Sequence, residues 1–110
     1  MRNNDGANTA MSGKQKWSQA VQTKKHEDDR VYVSEWRFAP GAATGWHRHS
    51  FDYVVVPMTT GRLLIETKPG EEDFYRDLTE GDPYTGPIGV EHDVINDSDK
   101  EVVFVEIELK

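Results

Sequence analysis

Between residues 30 and 109 the apolar side chains recur at every second position in short runs, and each run stops at a turn-forming cluster. Residues 30–38 (RVYVSEWRF) set Val31 and Val33 against Tyr32, Trp36 and Phe38, then meet Pro40-Gly41. Residues 46–58 (WHRHSFDYVVVPM) read as one long strand region ending near Thr59-Thr60-Gly61. Residues 62–67 follow, closed by Lys68-Pro69-Gly70, and the short run 74–78 ends at Glu80-Gly81-Asp82-Pro83. Tyr84-Thr85, a corner at Gly86-Pro87-Ile88-Gly89 and the run 92–96 come next. After a turn at 96–99, the last strand covers 100–109 and places Val103, Val105, Ile107 and Leu109 on one face. No 3.6-residue period persists anywhere. Seven or eight short strands predict an all-β sandwich or barrel.

Upstream the texture differs. Residues 1–13 are rich in Asn, Gly, Ser, Thr and Ala and are expected to form a disordered tail, with Met11 an alternative start. Residues 14–25 (KQKWSQAVQTKK) offer only Trp17, Ala20 and Val21 as apolar groups and are expected to be a docking arm. Residues 26–110 then form one domain, which is what a chain of 110 residues allows. Thirteen basic against twenty acidic residues give a formal charge of -7, which argues against nucleic acid and anionic membrane as partners. The absence of cysteine excludes disulfides, thiolate metal sites and cysteine nucleophiles. No apolar stretch approaches the roughly 20 residues of a membrane-spanning helix, and the first residues carry no apolar signal core, so the expected compartment is the cytoplasm.

The chemistry concentrates on three histidines. His47 and His49 are two apart in a predicted strand, so both imidazoles share a face and can bite one metal ion. Tyr53 shares that face if the strand is regular, as does Phe51, expected to wall a cavity. His92 follows a Pro-Gly corner and offers a third nitrogen from a neighbouring strand. Three neutral imidazoles with an open position suit Zn, Fe, Ni, Cu or Mn. An isolated His-x-His pair is more often a surface pair, so the spacing of the flanking residues decides.

That spacing is specific. Gly41, five residues, His47, one residue, His49 is similar to the first half of the first cupin motif, and Gly61 falls near where that motif ends. Gly81, five residues, Pro87, one residue, Gly89, two residues, His92, three residues, Asn96 matches the second cupin motif at every fixed position. Residues 28–110 thus resemble the cupin superfamily. The resemblance implies a double-stranded β-helix, or jelly-roll barrel, with one divalent metal ion per chain held by His47, His49 and His92, and a structural, turn-capping Asn96. The stretches SEWRFAPGAATGWHRH, DYVVVPMTTGRLLIE and VFVEIELK are similar to small bacterial single-domain cupins associated with β-alanine degradation.

One departure matters. The family pattern has a Glu ligand where this chain has Tyr53, and a phenol with an ordinary pKa near 10 is a poorer ligand than a carboxylate. A three-His site is therefore expected, with Tyr53 donating to substrate or acting as acid or base; Tyr53 as ligand and Tyr53 as packing are the alternatives. Asp52 has the wrong parity to point inward. Three-His cupins resemble Fe(II) thiol and diketone dioxygenases. That resemblance implies a metal-dependent dioxygenase using Fe(II), with Zn, Ni or Mn as substitutes, and a small polar, anionic metabolite as substrate. A metal-dependent isomerase or lyase and a non-catalytic binding or sensor domain are the rivals. A homodimer is expected, because exposed sheet edges need cover. Trp36 and Trp46 are expected in the core or a dimer seam rather than at the cavity mouth. Glu106 is expected in an interface ion pair, the alternative being an acid inside the barrel, and His26 is expected to be solvated.

Overall fold

The computed structural model describes residues 17–110, so the expected tail at 1–13 and the first residues of the expected arm lie outside the described residues. Eleven strands occur among the described residues: β1 (Ser18–Gln19), β2 (Val21–Glu27), β3 (Val31–Phe38), β4 (Ala42–Ala43), β5 (His47–Arg48), β6 (Asp52–Pro57), β7 (Gly61–Glu66), β8 (Phe74–Leu78), β9 (Tyr84–Gly86), β10 (Glu91–Ile95) and β11 (Val102–Leu109). One sheet runs β9-β6-β11-β3-β2; the other runs β1-β4-β10-β7-β8, with β5 also paired to β10. Every pairing is antiparallel except β1 with β4. This is the two-sheet jelly roll expected. Between the sheets, Phe38, Leu63, Ile95 and Val102 are fully buried, each adding roughly 1.5–3 kcal/mol by leaving water.

Three expectations need correction. The predicted strand over 46–58 is two strands. β5 pairs with β10 in one sheet and β6 pairs with β11 and β9 in the other, so the chain changes sheet at residues 49–51. The backbone still ties His49 to the 89–90 corner on both sides: its N–H donates to the Val90 carbonyl (2.8 Å), and its carbonyl accepts from Gly89 N–H (2.9 Å). Phe51 sits on this switch, where parity no longer holds, and it does not line the cavity. Asp52 points away from the cavity, as its parity requires, and accepts from Ile88 N–H (2.7 Å).

The second correction concerns β11. Val103, Val105, Ile107 and Leu109 do share a face, but the side chains that line the barrel are Phe104, Glu106 and Glu108 on the other one. The outward face continues across neighbouring strands, where Val105 pairs with Val56 and Ile107 with Val54 and Val33. The inward face is polar at one end because it meets a cavity rather than a dry core. Glu106, expected in an interface ion pair, is 8% exposed and inside the barrel.

The third correction concerns Trp36, which packs on the core but also lines the cavity, while Trp46 is exposed. The described part of the expected docking arm docks on its own chain. Ala20 is buried and its N–H donates to the Ala43 carbonyl (2.8 Å), and β2 pairs with β3. Asn96 is fully buried and acts as the expected turn cap. Its Nδ2 donates to the Phe38 (3.1 Å) and Lys100 (2.7 Å) carbonyls, while its Oδ1 accepts from Ser98 N–H (3.1 Å) and hydroxyl (2.7 Å).

Candidate metal centre

β5 and β10 bring the three histidines together: His47 and His92 are direct partners in the ladder, and His49 follows at the end of β5. Gly89, at φ 95°, makes the turn that feeds β10, a conformation that suits glycine. The three Nε2 atoms converge, with 3.2 Å between His47 and His49 and 3.0 Å between His49 and His92. The His47 Nδ1 lies 2.9 Å from the Gly45 carbonyl, which can only accept, so the proton sits on Nδ1 and the Nε2 lone pair faces the other imidazoles.

The donor set fits a metal ion. Nitrogens about 2.1 Å from one ion at right angles lie about 3.0 Å apart, close to both measured separations. Lone pairs that face each other at this distance repel unless a cation or proton lies between them. Protons are disfavoured: burial pushes His92 down to about 3, with His47 and His49 adding to the effect. Burial likewise brings His49 to about 4, with His47 assisting, and lowers His47 against the opposing pull of the Gly45 carbonyl. Neutral imidazoles are the form that binds metal.

Tyr53, on β6, is 6% exposed and stacks on His49 with ring centroids 3.9 Å apart and planes 18° apart. It supports the His49 ring by its face. The close packing is completed by Gly86, its partner in β9, where a Cβ would overlap the Tyr53 ring. Burial first, and Glu106 second, raise the Tyr53 phenol, so it stays protonated and able to donate at neutral pH. Arg48 is exposed at the cavity and lies 4.0 Å from Glu91, and His26 is exposed beside Asp28 at 3.0 Å.

The histidines open onto a cavity of about 640 Å³, within the usual range for small-molecule sites. Among its walls are Glu108 and Arg76, which the sequence did not single out, and Glu106, in the place inside the barrel that was its alternative expectation. Glu106 is pushed up to about 7 by burial and then by Glu108, against a hydrogen bond from Trp36. Glu108 is also raised by burial. Arg76 on β8 also lines the cavity, its guanidinium carbon 4.3 Å from the centre of the Tyr84 ring. The one signal for the two acids was their alternation with aliphatic residues along 103–109, which leaves them on Phe104's face.

Comparison with known proteins agrees with this architecture. The cupin domain model matches residues 34–108. Beta-alanine degradation protein BauB of Pseudomonas aeruginosa is 55% identical over 100 residues, covering 91% of this chain and 100% of that protein. A solved cupin domain from Bordetella pertussis Tohama I is 60% identical, with a TM-score of 0.82 over 86% of this chain and 97% of its own. A cupin superfamily protein from Desulfitobacterium hafniense DCB-2, 20% identical, shares the fold with a TM-score of 0.65 over 84% of this chain and 79% of its own. With the family model spanning β3 to β11 and both motifs accounted for in space, the chain belongs to the cupin family.

Proposed function

We propose that this protein is a metal-dependent enzyme acting on a small polar, anionic metabolite in the cytoplasm, that its reaction class is a dioxygenase, and that Fe(II) is the ion it uses. One observation carries the reading: three neutral Nε2 atoms meet at 3.0 and 3.2 Å on the wall of a cavity of about 640 Å³. His47, His49 and His92 are the ligands, and Zn, Ni or Mn suit the same nitrogens. A bound divalent ion would supply a Lewis acid with open positions for a chelating substrate and, as Fe(II), redox chemistry with O₂.

The chain's own residues do the rest. With Tyr53 where the family pattern has Glu, the three protein ligands are neutral, and the site retains the ion's full charge for an anionic group. Tyr53 is the catalytic residue: its protonated phenol donates a hydrogen bond to substrate from beside His49. The 55% identity to a protein named for β-alanine degradation supports a catabolic setting and a short-chain carboxylate. A homodimer is supported by the aliphatic outward face at Val33, Val54, Val56, Val105 and Ile107 and by the wholly exposed β2 strand.

A second reading, isomerase or lyase, is favoured by one observation. Glu106 shares the cavity with the Tyr53 phenol, and burial pushes its carboxyl up to about 7, where it can take or give a proton near neutral pH. An oxygen electrode separates the two. Fe(II)-loaded protein with a panel of short hydroxy-, oxo- and amino-carboxylates is expected to consume O₂ in a substrate-dependent way, lost in His49→Ala. Product formed without O₂ overturns the dioxygenase in favour of the second reading; ligand-dependent stabilisation without product assigns a sensor.

A further inference from the structure

The inward face of β11 places two carboxylates in the cavity, and neither forms an ion pair among the described residues. Glu106 is 8% exposed, and its hydrogen-bonding partner is Trp36, a neutral group. Glu108 follows two residues later on the same face, and its nearest lysine, Lys110, is committed to Glu27 at 2.8 Å and to the Asp28 carbonyl at 2.9 Å. A desolvated pair of like charges is costly unless a proton or a cation joins it.

The neighbouring imidazole does not serve the two carboxylates: with Nε2 turned to the other two histidines, the neutral His49 ring carries its proton on Nδ1, and that donor meets neither acid. His49 is 4% exposed, and its Nδ1 is buried with no hydrogen-bond partner. A ring nitrogen of His49 and carboxylate oxygens of Glu106 and Glu108 lie within 4.8 Å of one another. The opposite wall carries the complementary charge. Arg76 has no acidic partner among the described residues, and its guanidinium lies over the Tyr84 ring. Tyr53, the ladder partner of Glu108, and Tyr84 lie on the same sheet as the two acids, and each feels Glu106 and Arg76 in opposite senses.

We infer that the cavity binds a zwitterion, with an ammonium group received by Glu106 and Glu108 against the Trp36 ring and a carboxylate received on the Arg76 side. The ligand is thus a short amino acid rather than a simple anion, and this deepens the small-metabolite reading on which it rests. An ammonium satisfies both carboxylates with charge-assisted hydrogen bonds and gains the aromatic face of Trp36.

The test is calorimetric titration of the metal-loaded protein with 3-aminopropanoate, propanoate and propylamine, three probes of one length that differ in charge. The zwitterion is expected to bind at least about tenfold more tightly than either of the others, the scale of one charge-assisted hydrogen bond. Glu106→Gln and, separately, Glu108→Gln should weaken 3-aminopropanoate about tenfold and leave propanoate unchanged. Arg76→Gln should weaken both carboxylates. The inference is overturned if 3-aminopropanoate binds no better than propanoate, if it does not bind at millimolar concentration, or if both Gln variants keep the wild-type preference. It is also overturned if metal analysis finds a second ion per chain that Glu106→Gln removes, since the acids would then serve a metal. Because these are binding measurements, an enzyme that shows no O₂ uptake leaves the result intact, and the two readings fail separately.

Discussion

Gly86→Ala probes the packing that holds His49 in place. In the β9–β6 ladder Gly86 lies opposite Tyr53, and a Cβ built on it would overlap the Tyr53 ring at Cζ, Cε1 and the hydroxyl oxygen. Gly86 is not among the positive-φ glycines, so the substitution tests space and adds no backbone strain. The ring has nowhere free to go, being 6% exposed and stacked on His49 at 3.9 Å. Overpacking of this kind costs about 1–3 kcal/mol, and each kcal/mol lowers Tm by about 4–8 °C in a domain of this size. Displacing a group that orients a metal ligand also weakens metal binding about 10- to 100-fold.

Circular-dichroism melts of the metal-free protein measure the first effect and Zn titration the second. Tyr53→Phe should not rescue Gly86→Ala, since the ring carbon remains in the way. Tyr53→Ala removes the obstacle, so adding Gly86→Ala to it should cost less than about 0.5 kcal/mol, a coupling of about 1–3 kcal/mol between the two sites. If Gly86→Ala melts like the wild type, or if its cost is the same with and without the Tyr53 ring, the packing argument is wrong.

Further outcomes follow from the same geometry. The metal-free protein should lose stability as pH falls from about 6.5 toward 4, because His49 and His92 are held neutral in the fold while the unfolded chain takes up protons near 6.5; that stability is present above 6.5, and denaturant melts at a series of pH values that stay level through this window would contradict the low values. Metal affinity should fall over the same acid range, which competition with a chromophoric chelator reads directly. Tyr53→Phe should keep the ion and impair turnover or ligand binding, whereas loss of metal as complete as in a histidine variant would make Tyr53 a ligand. Light scattering should find a dimer, and a monomer at high concentration would refute it; a variant beginning at Lys25 that still dimerises would show that residues 14–24 are dispensable for the seam.

The glycine, proline and histidine spacings exposed the three-histidine cluster because each has a local cause. Gly81 and Gly89 do adopt positive φ, at 79° and 95°, and His47 and His92 do meet across one ladder. Strand parity worked wherever a strand is regular and failed where it is not. The break at residues 49–51 moved Phe51 off the cavity, although Tyr53 returned to the His49 ring from the other sheet. Parity also cannot say which face of a strand is inside. On β11 the aliphatic face is the outer one, since the inner face serves a polar cavity, and hydrophobicity alone pointed the wrong way for Glu106. Arg76 and Gly86 act through partners distant in sequence, Tyr84 and Tyr53, so no local pattern marks them.

The central claim is that His47, His49 and His92 hold one divalent ion, and elemental analysis tests it most directly. Protein prepared without a nickel affinity step, reconstituted anaerobically with Fe(II) and desalted, should carry about one metal per chain, and His49→Ala should carry essentially none while retaining the β-sheet circular-dichroism spectrum. A folded His49→Ala protein with stoichiometric metal would contradict the account.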